Sequence, residues 1–273
     1  MSEAISFEKR SGATWLTLRR PDKLNALDAN MRETLLEYFS GLRRDPATRV
    51  VVLRGEGRGF CAGLDLDTAN AEAPGFRPEP EGRDHFASHE ALAYQQSWSE
   101  LALRMRACPQ PIIALLHGPT SGLGFSMALA SDVRIAADTV RMNAAFLRIG
   151  LTGGDCASSY HLPRLVGGSV ASELLLTGRF IDAPRALRTG LVSEVVAEDE
   201  LEAAGEAMAR DMLRNAPLGL RLTKELLNAS QGATTLAEQV ALEDRSQVVA
   251  LSSGDPGEGS RAFLEKRDPD YAP

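Results

Sequence analysis

Along the chain the spacing of apolar positions changes period several times, and each change marks an element. Ile5 to Arg19 carries two short apolar stretches around Ser11-Gly12, the second being ATWLTL, so the opening reads as a β-hairpin. Met31, Leu35, Leu36, Phe39 and Leu42 then recur near the helical period, with Asp28 placed to cap the helix and Asp45-Pro46 to stop it. RVVVLRG, Arg49 to Gly55, is an uninterrupted apolar run and reads as a buried strand. A helix from about Glu90 to Ala107, ended by Pro109, leads into the strand PIIALL and a glycine-punctuated turn from Gly118 to Gly124. A further strand, VRIAAD, follows that turn's helix. Everything after about Asp182 is helical, in the segments LEAAGEAMARDMLRNAP, LRLTKELLNAS, TLAEQVALEDRSQVVAL and PGEGSRAFLEKRDP. Strands alternating with helices through the first two thirds predict a stacked α/β core, followed by a helical tail. Between Thr68 and Arg83 the periodicity fades into Pro, Gly, Ala and Glu, which predicts a surface loop or a substrate lid.

Composition narrows the partners. With 273 residues and 44% hydrophobic content the chain can bury a sizeable core. Thirty basic against 37 acidic residues give a formal charge of -7 with no long single-sign block, which argues against a nucleic-acid partner. A polyphosphate ligand is still compatible with that balance where a few cations sit locally. MSEAISFEKR lacks the pattern of a secretory signal, and no apolar run is long enough to span a bilayer. Cys61, Cys108 and Cys156 are odd in number and widely spaced, fitting neither a disulfide framework nor a zinc site, so a reducing cytoplasm is the expected compartment.

Two segments place glycines where a strand gives way to a helix: GRGFCAGLDL from Gly57 and HGPTSGLGFSMALASD from His117. Such turns expose backbone amides, which form a site for negative charge, and two of them can converge on one oxygen. Gly57, Gly59 and Ala62 also fit a dinucleotide GxGxxA pattern, but that turn must open a long helix and here only a short stretch precedes the loop. Neither a phosphate-binding GxxxxGK nor a nucleophile-elbow GxSxG occurs.

In their order and spacing, NAL at Asn25 to Leu27, FCAGLDL, HGPTSGLG with its following ASD, LPRLVG, TGR, GLV and FLEKRDPDY resemble the crotonase (enoyl-CoA hydratase/isomerase) superfamily over nearly the whole chain. The resemblance implies an α/β fold, with a crotonase-like spiral of ββα repeats in residues 1–195 and a C-terminal helical trimerisation region in 196–273. It implies an acyl-CoA thioester whose carbonyl oxygen sits between the backbone amides of Leu64 and Leu123. Glycine is usual at the second position; leucine keeps the N–H and reshapes the acyl pocket. For the coenzyme A portion the resemblance points to the backbone around Ala26, Ala62, Asp65 and Leu66, and to Phe263 and Lys266 of a terminal helix, Lys266 meeting a phosphate. Gly63, Gly122 and Phe146 complete the implied substrate-binding set.

The implied activity is hydration or isomerisation of an enoyl-CoA. Hydration needs one group to take a proton and one to deliver it, and a typical hydratase of that family uses two glutamates. Matching the turns puts Ser126 and Phe146 at those positions. The nearest carboxylate is Asp155, close to where some isomerase-type relatives place an aspartate; it is either the proton carrier or a helix cap. Glu90 is a second candidate carboxylate. His85 and His89 would share a helical face, but no third ligand accompanies them and no metal is expected. His117 and His161 read as structural, and Glu243 and Arg245 as an ion pair or trimer contact. Alternatives are a non-catalytic acyl-CoA-binding protein and a thioester or carbon–carbon hydrolase. No cofactor is expected beyond the coenzyme A of the substrate, and the expected partners are that substrate and other copies of the chain in a homotrimer or dimer of trimers, with no nucleic acid and no membrane.

Overall fold

The computed structural model describes residues 4–72, 88–232 and 235–271; of the loop expected from Thr68 to Arg83, Thr68 to Glu72 instead belong to a short helix, and residues 73–83, like His85, lie outside the described residues. In chain order the strands are β1 (Ile5–Arg10), β2 (Ala13–Leu18), β3 (Val50–Gly55), β4 (Ile112–Leu116), β5 (Pro119–Ser121), β6 (Val133–Ala137), β7 (Arg141–Asn143), β8 (Ile181–Asp182) and β9 (Glu194–Val196). The helices are α1 (Ala29–Gly41), α2 (Leu66–Glu72), α3 (Ser88–Ala107), α4 (Leu123–Ala130), α5 (Ser158–Val166), α6 (Gly168–Thr177), α7 (Ala183–Arg188), α8 (Leu201–Leu213), α9 (Pro217–Ser230), α10 (Leu236–Leu251) and α11 (Asp255–Glu265).

The expected hairpin forms, antiparallel from Ile5↔Leu18 to Arg10↔Ala13, and the remaining strands of the main sheet add in parallel to give the order β1-β2-β3-β4-β6-β9. Successive residues of a strand face opposite sides. Val50, Val52, Ile113 and Leu115 therefore join Trp15, Leu201 and Ala209 on the side covered by α8. Val51, Leu53, Ile112, Ala114 and Leu116 face the other way, into a larger core with Leu35 and Phe39 of α1 and Leu101 and Met105 of α3. Cover on both faces explains why β3 and β4 read as continuous apolar runs rather than alternating ones. Asp28 caps α1 as expected, its carboxylate accepting from the Met31 N–H at 2.8 Å.

A second, three-stranded sheet, β5-β7-β8, lies beyond the ends of β4 and β6. The chain crosses into it after β4, and α4 then carries it back to β6 with all eight of its residues buried. The four amphipathic tail segments become α8 to α11. Expecting only helix after about Asp182 misses β8, which ends there, and β9, which closes the edge of the main sheet. Two and three residues are too few to show a period of two. Among the described residues no helix is long and apolar enough to cross a membrane.

Candidate active site

The segment Cys61 to Asp65 runs between two others and is hydrogen-bonded to both. On one side Cys61 N–H donates to Pro119 O and Ser121 N–H to Cys61 O; on the other Ala62 N–H donates to Leu24 O, Leu27 N–H to Gly63 O and Asp65 N–H to Leu27 O. Leu27 thus spends both its bonds on the residues flanking Leu64, a parallel bridge that turns the Leu64 amide away from Leu27. Leu123 is the first residue of α4, so its N–H has no intrahelical acceptor. Neither amide has a hydrogen-bond partner among the described residues.

Two glycines bring these amides together. Gly63 has φ +107°, and a Cβ there would stand 2.9 Å from Ser121 O and 3.4 Å from the Leu123 nitrogen. Gly124, one residue into α4, leaves room for the Cys61 carbonyl, which a Cβ would meet at 2.2 Å. The sequence therefore presses the start of α4 directly against the CAGL segment. Charge is arranged along the same helix: at its other end Arg134 donates to Ser131 O at 2.6 Å and Arg106 to Ala130 O at 3.2 Å. Cations at the C-terminal end and free amides at the N-terminal end both favour an anion beside Leu123.

Around the two amides lies a cleft. Its apolar walls come from Leu66, Tyr94, Trp98, Phe146, Ile149 and Leu151, and its only carboxylate among the described residues is Asp155. Ala62, Gly63, Leu64, Gly122 and Leu123 also line it, so most of the residues singled out in the sequence converge here. Ala26 and Asp65 sit just behind. Arg20 ties them in place, donating to Ala26 O at 2.6 Å and to Asp65 Oδ2 at 2.7 Å. Burial opposes ionisation of Asp65, but the Arg20 guanidinium outweighs it and leaves the carboxyl below its ordinary value.

Asp155 is not a side-chain cap: the N-cap of α5 is Ala157, which has no side-chain bond, and the carboxylate points elsewhere. Its Oδ1 accepts from Cys156 N–H at 2.7 Å and from Gln95 Nε2 at 2.5 Å. Ser126, at the position of a hydratase glutamate, is buried and donates from Oγ to the Asp155 carbonyl at 3.3 Å. Phe146, at the other, is buried with its ring 3.7 Å from where a Gly122 Cβ would stand. Neither thiol nearby is a nucleophile at neutral pH: burial pushes Cys61 up to about 12, and burial together with the Asp155 charge raises Cys156.

Other candidates fall outside the cleft. Phe263 is 83% exposed on α11 and Lys266 ends that helix, and neither lines the cleft of its own chain. Glu90 and His89 are exposed on the first turn of α3. Glu243 and Arg245 are exposed on α10 and form no ion pair with each other or with another described residue, since positions two apart on a helix face different ways. His117 is buried with Nε2 2.8 Å from Gly57 O, and His161 is buried on α5, as expected of structural residues. Burial first, then the charges of Arg106, Arg134 and Arg164, hold the His161 imidazole down to about 4. Sequence reasoning missed α3 as the far wall: Tyr94, Gln95 and Trp98 lie on one face of a helix, and only the fold brings them to Asp155.

Residues 8–273 match the family model described as enoyl-CoA hydratase/isomerase. The 1,2-epoxyphenylacetyl-CoA isomerase of Escherichia coli K12 is 33% identical over 271 residues, 99% of each chain. The crystal structure of a Streptomyces coelicolor A3(2) protein superposes with a TM-score of 0.90 at 36% identity, over 99% of this chain and 94% of that one. That of an enoyl-CoA hydratase from Polaromonas sp. JS666 gives 0.86 at 32% identity, over 98% and 99%. A fold, a paired-amide cleft and a full-length sequence match agree, and the chain is an enzyme of the enoyl-CoA hydratase/isomerase family, with the crotonase fold.

Proposed function

We propose that this enzyme isomerises the double bond of an enoyl-CoA, with Asp155 as the one proton carrier and the Leu64 and Leu123 amides as the oxyanion hole. The observation that carries this reading is that Asp155 is the single carboxylate among the described residues of the cleft. Adding water across a double bond calls for a base and an acid on the same water, whereas moving the bond calls for one group that takes a proton and gives it back. In a 3-enoyl thioester, Asp155 takes a proton from the carbon next to the carbonyl, and the electron pair moves onto the thioester oxygen. The same proton is then delivered two carbons along the chain as the oxygen's charge is withdrawn. Both amides act on the oxygen while it is charged; one such donor contributes about 2.7–4 kcal/mol to a transition state.

Several features support the reading. Phe146 and Ser126 leave no second titratable group beside Asp155 at the hydratase positions, and the E. coli relative is named an isomerase. In this reading the backbone around Ala26, Ala62, Asp65 and Leu66 holds the coenzyme A portion; Ala62 and Leu66 line the cleft, and Arg20 ties Ala26 and Asp65 in place. Such chemistry asks for no further cofactor. Phe263, Leu264, Leu251 and Leu236 are 83%, 78%, 67% and 81% exposed along α10 and α11, which supports a homotrimer or dimer of trimers that covers them. Three buried free cysteines suit a reducing cytoplasm.

The test is product analysis of a 3-enoyl-CoA and a 2-enoyl-CoA after incubation with the protein. An equilibrium mixture of the two at unchanged mass supports the reading; a gain of one water's mass indicates hydration and contradicts it, and recovery of both substrates untouched contradicts it in favour of a binding protein.

A further inference from the structure

Gln95 comes from the middle of α3, 60 residues away in sequence from Asp155, yet its side-chain amide is the closest partner of that carboxylate. Oδ1 of Asp155 carries three donors: Gln95 Nε2 at 2.5 Å, Cys156 N–H at 2.7 Å and Cys156 Sγ at 3.3 Å. Oδ2 has none among the described residues. A carboxylate loaded so unevenly has one orientation in which its bonds are kept, and that orientation frees the same oxygen each time. Cys156 is the next residue in the chain and turns with Asp155; Gln95 belongs to a different wall and is the only one of the donors that fixes the carboxylate relative to the cleft.

We propose that Gln95 is the positioning residue of Asp155, holding Oδ1 from α3 so that Oδ2 alone exchanges protons with the acyl chain. This rests on Asp155 being the proton carrier. During the reaction Oδ2 takes a proton from one acyl carbon and returns it to another, while the bond from Gln95 to Oδ1 persists in both states. A carboxamide suits the task because it donates without titrating, so no proton is diverted from the shuttle. A donor to the charged carboxylate also favours the form that acts as base. The flanking residues keep α3 in place: Trp98 is 3% exposed, Tyr94 meets it edge-on with ring centroids 6.4 Å apart, and the Arg32 guanidinium lies 4.7 Å from the indole centroid.

The experiment compares Gln95→Leu, Gln95→Glu and Asp155→Asn with the wild type, measuring kcat and KM for 3-enoyl-CoA isomerisation from pH 5 to 9 and the melting temperature of each. Gln95→Leu keeps the bulk and loses the donor: kcat falls about 10- to 100-fold, the range a misplaced reacting group costs. KM stays within twofold and the acidic limb of the kcat profile moves to higher pH. Gln95→Glu, nearly isosteric, sets a second carboxylate against Oδ1, so the two share a proton and the limb moves further in the same direction. A purely architectural Gln95 would lower the melting temperature and leave the pH profile alone. An unchanged profile in a folded Gln95→Leu or Gln95→Glu enzyme, with Asp155→Asn inactive, overturns this inference and spares the role of Asp155. Retained turnover in Asp155→Asn overturns that role, and this inference with it.

Discussion

One wall of the cleft is made of backbone and the other of side chains. On the first, the Leu64 and Leu123 amides are aimed by a parallel bridge, a helix start and two glycines, and the side chains of those leucines take no part in the aiming. On the second, the Asp155 carboxylate is held across the cleft by the Gln95 side chain of α3, and Ser126 of α4 bonds the Asp155 main-chain carbonyl. A backbone wall tolerates exchange of side chains so long as its glycines stay. A side-chain wall can be rebuilt residue by residue, and Ser126 and Phe146, which the sequence resemblance matches to a hydratase's glutamates, carry no carboxylate. The comparison teaches that a site held by backbone geometry depends on a few glycines, whereas a site held by side chains depends on each partner separately.

The contrast can be attacked first through the glycines. Gly63→Ala forces a Cβ to within 2.9 Å of Ser121 O at a φ that L-residues rarely adopt, so the Leu64 amide must turn. Steady-state kinetics should show kcat/KM reduced ~10²–10³-fold, the loss of an oxyanion-hole donor. Phe146→Leu trims the ring that packs beside Gly122 and leaves both amides in place. Competition between short and long enoyl-CoA substrates should shift by about 10-fold, as expected for a few methylenes of pocket, with kcat within a few-fold of wild type. Ser126→Ala removes one bond to the Asp155 carbonyl and no group that handles protons. Its kcat should fall by about 2- to 5-fold, consistent with a single neutral hydrogen bond near 1 kcal/mol.

The smallest effect on catalysis belongs to His161, outside the cleft, and appears in stability instead. Its folded-state value, down to about 4, lies below the ordinary 6.5, so the unfolded chain binds the extra proton first as pH falls. Stability from this group is present above pH 6.5 and is lost between 6.5 and about 4. Melting temperatures of His161→Gln should therefore decline less steeply over that window than those of the wild type, with kcat at pH 7.5 unchanged.

The backbone wall was legible in the sequence because glycines at strand ends report conformation locally: CAGL and SGLG announce free amides before any fold is known. The core strands were legible for a similar reason, since Val50 to Leu53 and Ile112 to Leu116 are continuous apolar runs. Local pattern stopped short where a role depends on what lies opposite. Gln95 carries no mark of its partner 60 residues away, and Asp155 could be either cap or cleft residue until Ala157 proved to begin α5 without it. β9 was invisible because three residues paired to β6 gain their strand character from the sheet they join. The exposed apolar residues of α10 and α11 show the same dependence at larger scale: their periodicity predicts the helices correctly, but nothing among the described residues buries them.

The most direct measurement is single-turnover isomerisation of a 3-enoyl-CoA by Asp155→Asn, alongside the affinity of the same variant for a non-reactive acyl-CoA. The account predicts turnover reduced by about 10²–10⁴-fold, the contribution of general acid–base catalysis, with affinity unchanged because the amide wall is intact. A variant that binds as before and isomerises at the wild-type rate would contradict it.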